Sequence, residues 1–551
     1  MSASVSTDVI MARAAVVLLL GNVLSRILGL VREQTIAYLF GVSGAASSFV
    51  AASQVPTMVY DLLLGGAVTA ALVPVFADYA RPNGHGRNNR EFSALFGAML
   101  ALAAVVLGGM VLVLSIFAEP LVRILVPGFA ANLADQCIIA SQAATATTAE
   151  SAAPELLTQT VALTRLALPA AAFLGLSGVV NAALYAGQRP HYPAFCAAVY
   201  NVCIILTALL FVGRFGVASL ALGVLVGSVG QLIFQLPGLW RMGLRPRVAL
   251  SHPAVPRILR LYAPVFAGLI ITQFAIVLDR NLASCTGQDS IAAMNYATRL
   301  VQLPLGLVGS AIALAVLPLL AAEGSTANLE NFRRILNRGM RLILLLMLPI
   351  FALMLIWHWP IVELVYQRGA FDAADAEATG LALFLYSWQL PLTGLDQLFI
   401  FAYYARKNTR TPVLVGILGI GFYLAVALPL LQPLGMPGLV LANTVQNSGH
   451  ALVMLWLLSR LLGGVGGEGF GRFMATIGAA TLLVALAAGG MLYVQRVLTD
   501  GGGTVGLLAL VVGGGGVLLL AYLGMLRLLK LPELALLAAM VPASFRAAVR
   551  R

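Results

Sequence analysis

The sequence predicts an all-α polytopic membrane protein, and three observations carry that reading. Of 551 residues, 60% are hydrophobic and only 10% charged, whereas soluble domains average about 25% charged. Apolar runs of about 20 residues, the length that crosses a bilayer as a helix, recur along almost the whole chain and leave no room for a large soluble domain. The basic residues also alternate between dense and sparse from one loop to the next.

Fourteen spans follow in order: 14–40, 46–77, 93–118, 156–186, 192–213, 217–239, 259–286, 290–321, 340–362, 378–404, 411–431, 436–459, 474–495 and 505–528. The first run starts at Ala14 and continues through Arg26 and Arg32 with no A-x-A-like cleavage site, so it reads as a span and not as a cleaved signal. The loop after span 2 holds Arg81, Arg87 and Arg90; the one after span 6 holds Arg241, Arg245, Arg247 and Arg257; span 9 is preceded by Arg333, Arg334 and Arg338; span 11 is preceded by Arg406, Lys407 and Arg410. Together with both termini, this side collects 24 of the 33 basic residues; the other side has Arg123, Arg214, Arg368 and Arg496. The positive-inside rule makes the rich side cytoplasmic and puts both termini there. A miscounted span would invert every later loop and destroy the alternation, which is what supports fourteen.

The chain repeats itself. ALYAGQRPHYP (183–193) matches AYYARKNTRTP (402–412) at an offset of 219, and Pro74 in ALVPVFA matches Pro318 in AVLPLLA at 244. The shrinking offset places about twenty extra residues in the first copy, in the polar Ala/Thr/Ser-rich stretch 130–155. Spans 1–6 and 7–12 are then two six-helix lobes related by a pseudo-two-fold axis along the membrane normal, an arrangement that holds substrate between its halves and rocks about it. The domains read as 1–245, 246–465, and a third part, 466–551, with spans 13 and 14 and a cytoplasmic tail. The glycine runs Gly501–Gly503 and Gly513–Gly516 point to close backbone approach in that third part.

The remaining five basic residues, Arg26, Arg32, Arg165, Arg280 and Arg299, fall inside spans. A charge at mid-bilayer costs at least about 2.5–3.5 kcal/mol and marks a pathway or binding site by default. Guanidinium forks match phosphate oxygens, so arginines on one cavity suit a strongly anionic substrate. The net charge of +12 does not point to nucleic acid, because the arginines flank apolar segments instead of clustering on a soluble face. No Cys/His cluster has metal-ligand spacing, and there is no nucleotide-binding motif; no metal or cofactor is expected. Cys196 and Cys203 read as small core residues. Cys137 and Cys285 should both face outside, which leaves a disulfide between them open.

Several stretches in order carry a resemblance: SRILGLVREQTIAYLFG (25–41), GGAVTAALVPVFADYA (65–80), VLDRNLAS (277–284), NYATRLVQLPLGLVGSAIALAVLPLLA (295–321), YQRGAFDAAD (366–375) and YYARKNTRTPV (403–413). In this combination the chain resembles the MurJ (MviN) family of lipid II flippases, in the multidrug/oligosaccharidyl-lipid/polysaccharide exporter superfamily, over about residues 14–460. The resemblance implies a flippase, not an enzyme, that moves lipid II, the undecaprenyl-pyrophosphate-linked peptidoglycan precursor, from the inner to the outer leaflet of the bacterial cytoplasmic membrane by alternating access. It implies lipid II and membrane lipids as partners, with the cell-wall synthesis machinery as a further one. Its essential cavity arginines correspond to Arg26, Arg32 and Arg299. The chain departs from the family after Pro56, where Tyr60 and Asp61 stand in place of an arginine pair; Tyr60 would replace a charge contact with a hydroxyl, and Asp61 would either oppose the substrate or neutralise Arg26 or Arg32. Asp279, Arg280, Asp396 and Arg165 are candidates for coupling or ion pairing, while Tyr423 and Ala427 stand where some members supply acids or amides to a sodium site. His450 reads as a satisfied core histidine. The alternatives are an exporter of another polyprenyl-linked oligosaccharide and a membrane-embedded polyprenyl-phosphate transferase. The second would need an acidic cluster, which the well-separated Asp61, Asp279 and Asp396 do not provide.

Overall fold

The computed structural model describes residues 2–65, 71–80, 89–130, 137, 153–244, 252–324, 329–499 and 503–534. Most of the loop at 130–155, and Arg81, Arg87, Arg245, Arg247, Arg546, Arg550 and Arg551, lie outside the described residues. All regular structure among the described residues is helical, as the bilayer demands when a chain must satisfy its own backbone groups. The stretches read as spans are helical over their described residues apart from end residues and short breaks at Phe117, Leu168, Trp357 and Trp388–Gln389.

Among the described residues, nine helices are long and apolar enough to cross a membrane, or ten if Val255–Ala263 and Gly268–Ser284, bent by 54°, form one. Among the stretches outside that count, 378–404 is interrupted at Trp388–Gln389, and 436–459 carries Asn443, Asn447 and His450. Large apolar side chains face outward along the helices, including Leu210, Val505 and Leu520, each more than 70% exposed. A soluble surface would not carry so many, and a lipid-facing one would.

The chain divides into two compact units. The first comprises 1–292 with 368–371. Its helices are α1 (Ser2–Phe40), α2 (Gly44–Tyr60), α3 (Val73–Ala80), α4 (Asn89–Ile116), α5 (Ala118–Leu125), α6 (Ala153–Ala167), α7 (Pro169–Ala186), α8 (His191–Phe215), α9 (Ala218–Arg241) and α10 (Val255–Ser284). α8 packs against α1 and α9. Small residues make those contacts close: a Cβ on Gly21 would lie 2.4 Å from the Ala194 carbonyl oxygen, and one on Gly227 would lie 2.9 Å from Tyr200. This is how helices associate where lipid removes the hydrophobic drive. Phe76 anchors another layer, edge-on to Phe92 at 5.7 Å and to Phe96 at 6.5 Å.

The second unit comprises 293–367 and 372–551. It holds most of α11 (Ser290–Pro304), then α12 (Ser310–Gly324), α13 (Leu329–Ile356), α14 (His358–Tyr366), α15 (Ala373–Ser387), α16 (Leu390–Ala405), α17 (Arg410–Leu434), α18 (Met436–Leu462), α19 (Phe470–Thr499), α20 (Gly503–Leu508) and α21 (Gly515–Leu528). The last helices are bonded into this unit. Trp357 donates its indole N–H to the Ala488 carbonyl at 2.9 Å, and the Tyr522 hydroxyl donates to the Leu345 carbonyl at 3.0 Å. Gly514 and Gly515 lie against Trp357, as the glycine run predicts, whereas Gly513 and Gly516 face open space.

Candidate functional site

Arg26 and Arg32 sit on α1 six residues apart, about 9 Å along the axis. Arg32 is well held. One guanidinium nitrogen donates to Glu33 at 2.6 Å and another to the Asn201 side-chain oxygen at 3.0 Å. Asn201, on α8, in turn donates to the Ser25 carbonyl at 3.2 Å. Glu33 is 3% exposed at its side chain and Arg32 18%. The charge of Arg32 is thus balanced inside the unit while part of its fork stays accessible. Arg26 is half-buried one and a half turns earlier on the same helix.

Tyr60 closes α2, and Asp61 opens a π-helical turn, Asp61–Gly65. Such a turn carries one extra residue and frees a carbonyl, and it recurs at functional sites. The Tyr262 hydroxyl of α10 donates to the Leu62 carbonyl within this turn. Gln273, also on α10, lies close enough to act on the Asp61 carboxylate.

Arg165 is placed elsewhere. It is exposed and donates to the Ser115 carbonyl at 3.2 Å, near the end of α4, where the last carbonyls lack helical partners. It lines a cavity of about 390 Å³ with the Arg123–Glu119 pair, whose atoms approach to 2.8 Å. Asp279 and Arg280 are half-buried near the end of α10, and the Arg280 Nε is buried with no hydrogen-bond partner among the described residues. The helix end beyond them is fixed: Asn281 donates to the Ile124 carbonyl at 2.7 Å, and the Gly128 N–H donates to the Ser284 hydroxyl at 3.1 Å. A Cβ on Gly128 would lie 2.0 Å from the Ser284 carbonyl oxygen, so only glycine allows this approach. Next to it Cys285 is disulfide-bonded to Cys137, with Cα atoms 6.1 Å apart.

In the second unit, Arg299 on α11 is half-buried and approaches the Gln302 oxygen at 3.4 Å. Asp396 on α16 pairs with the His450 Nδ1 on α18 at 2.8 Å. Tyr423 is 2% exposed. Among the described residues no group of three or more His, Cys, Asp or Glu could hold a metal ion.

Residues 36–513 match the family model described as Lipid II flippase MurJ. The chain belongs to that family. It is 30% identical over 407 residues to the Lipid II flippase MurJ of Burkholderia cenocepacia, covering 72% of this chain and 73% of the relative. It is 29% identical over 482 residues to the Probable lipid II flippase MurJ of Haemophilus influenzae, covering 85% and 89%. A solved structure titled Lipid II flippase MurJ, inward closed conformation, shares the fold with a TM-score of 0.74 at 20% identity, over 93% of this chain and 98% of that one. An inward-facing MATE family transporter of the MOP superfamily is more distant, with a TM-score of 0.63 at 15% identity, over 82% and 98%.

For this MurJ-family chain, sequence reasoning found the charged residues and missed their partners. Asn201 is a single amide inside an apolar run, and it bonds the candidate site residue Arg32. An isolated amide in a span is itself the signal, since an unpaired amide in hydrocarbon is costly.

Proposed function

We propose that this chain moves lipid II from the inner to the outer leaflet of the cytoplasmic membrane by alternating access. The match to the flippase family over residues 36–513 carries the proposal, and the arginines on apolar helices supply its chemistry. Arg26, Arg32 and Arg299 hold the pyrophosphate, each offering fixed, always-charged donors, and Tyr60 adds a hydroxyl. Arg32 keeps its register through Asn201 and Glu33 while it does so.

In this reading the chain crosses the membrane fourteen times, in two six-span repeats and two further spans, with both termini in the cytoplasm. The charge alternation supports that topology. So does the Cys137–Cys285 disulfide, because both cysteines fall on the side assigned outside and disulfides persist in oxidising compartments. Undecaprenyl stays in lipid while the headgroup crosses. The inside-negative membrane potential, worth about 2.3 kcal/mol per charge per 100 mV, favours return of the empty, positive cavity inward. Product is handed to the cell-wall synthesis machinery on the outer face. The test is rescue of a strain depleted of its own lipid II flippase, with a leaflet-resolved assay of lipid II. Growth together with restored outer-leaflet lipid II is expected; growth without that lipid would refute the assignment.

Asp61 gives a finer check. Asparagine is nearly isosteric with the carboxylate, so Asp61→Asn should leave thermal stability nearly unchanged. It also removes a negative charge beside Tyr60, so lipid II should bind several-fold more tightly in titration. A loss of stability with no gain in affinity would make Asp61 purely structural.

A further inference from the structure

The second unit contains an intramembrane acid–base pair for which pyrophosphate binding has no use. Asp396 and His450 meet at 2.8 Å, with side chains 17% and 16% exposed. They terminate a polar seam that α18 makes with the end of α15 and the start of α16. Thr444, Asn447 and His450 recur every three residues on α18, so they share one face. Thr444 donates to the Leu385 carbonyl at 3.0 Å, Asn447 to the Gln389 side-chain oxygen at 2.6 Å, and His450 meets Asp396.

The seam runs along a break. α15 ends at Ser387 and α16 begins at Leu390, with Trp388 and Gln389 between them. Pro391 cannot donate to the Ser387 carbonyl, which is how a proline opens a helix. One turn before Asp396, the Thr393 hydroxyl is buried with no hydrogen-bond partner among the described residues. A broken helix, an unsatisfied hydroxyl and an ionisable pair in sequence are what a path for a small cation requires. Asp396 lies nine residues before the end of α16, roughly 14 Å inside the basic end of that helix.

The surroundings narrow the cation. A single carboxylate with a histidine is too few oxygens for sodium or calcium, whereas it is a complete site for one proton. α12, α13, α15 and α17 pack on α16 or α18, as does the turn Leu305–Gly309. Their titratable groups are Glu323 on α12; Glu330, Arg333, Arg334, Arg338 and Arg341 on α13; Asp375, Glu377 and Tyr386 on α15; and Arg410 and Tyr423 on α17. The turn has none. α16 and α18 themselves add Tyr403, Tyr404 and Arg460. Tyr423 is mid-helix and Tyr386 is in the last turn of α15 beside the break; the α13 arginines lie in its basic first half, and the rest sit near the ends of their helices. Asp396 is the charged side chain that His450 meets.

We propose that Asp396 and His450 form a proton-binding site that is loaded and unloaded once per cycle, coupling lipid movement to proton movement. The inference rests on the carrier reading above. The proton is the one His450 holds against Asp396; on release the ring becomes neutral, the carboxylate stays ionised and the pair gains one negative charge. Such a change, deep in the unit, alters the stability of the seam between α16 and α18.

The test uses the purified full chain in lipid vesicles containing lipid II, with the potential clamped by potassium and valinomycin. The rate of lipid II translocation is measured at symmetric pH, together with proton entry reported by a trapped pH dye. Wild type should show a rate that follows one titration between about pH 5 and 8, and a proton flux that requires lipid II. Asp396→Asn and His450→Gln should translocate with a flat pH profile and no such flux. His450→Lys keeps a cation beside Asp396 but titrates near pH 10.4, so it should fold and also be flat. A wild-type pH profile retained in His450→Lys, or translocation by wild type without proton flux, overturns the proton site and leaves the carrier standing. If wild type moves no lipid II at any pH, the carrier reading fails and takes this inference with it.

Discussion

Arg26→Ala and Arg299→Ala are each expected to abolish or strongly reduce lipid II transport while leaving abundance and thermal stability near those of wild type. Hydrogen bonds to charged groups are worth about 1.5–3 kcal/mol, so affinity should fall roughly 10- to 100-fold for each. Lysine should restore part of the loss at either position, because it keeps the charge and forfeits the bidentate fork. Lipid II titration of purified protein and an outer-leaflet assay in cells check this together. Tolerance of both alanine and lysine at both positions would show that the pyrophosphate is held by other groups.

Arg32 should behave differently, because the structure gives it a buried partner. Arg32→Met leaves the Glu33 carboxylate, 3% exposed at its side chain, without its cation. Breaking such a pair from one side costs about 3–5 kcal/mol. A lower melting temperature and low abundance are therefore expected in addition to lost transport. The double variant Arg32→Met with Glu33→Gln should recover most of the stability and none of the transport. If Arg32→Met is as stable as wild type, Glu33 is satisfied by its other neighbours and Arg32 serves the substrate alone. Asn201→Ala separates the remaining contribution: it keeps the ion pair, removes the 3.0 Å bond that aims the guanidinium, and should weaken lipid II binding with little effect on stability.

The sequence by itself determined the helical class, the membrane environment, the fold family and the identity of the charged residues. All of these are written along the chain. Hydropathy is a sum over consecutive residues, the charge alternation is a property of successive loops, and the family motifs are short local strings such as those around Arg26 and Arg299. What only the tertiary structure decided is which groups meet. Arg32 and Asn201 are 169 positions apart, Cys137 and Cys285 148, Asp396 and His450 54, and each pair joins different elements. Periodicity places a residue on a helix face but does not say which helix that face will meet, so it does not reveal that Asn201 of α8 holds Arg32. In a bilayer the reason is sharp. A polar side chain that finds no water must find a partner, the sequence states that the need exists, and only packing states how it is met.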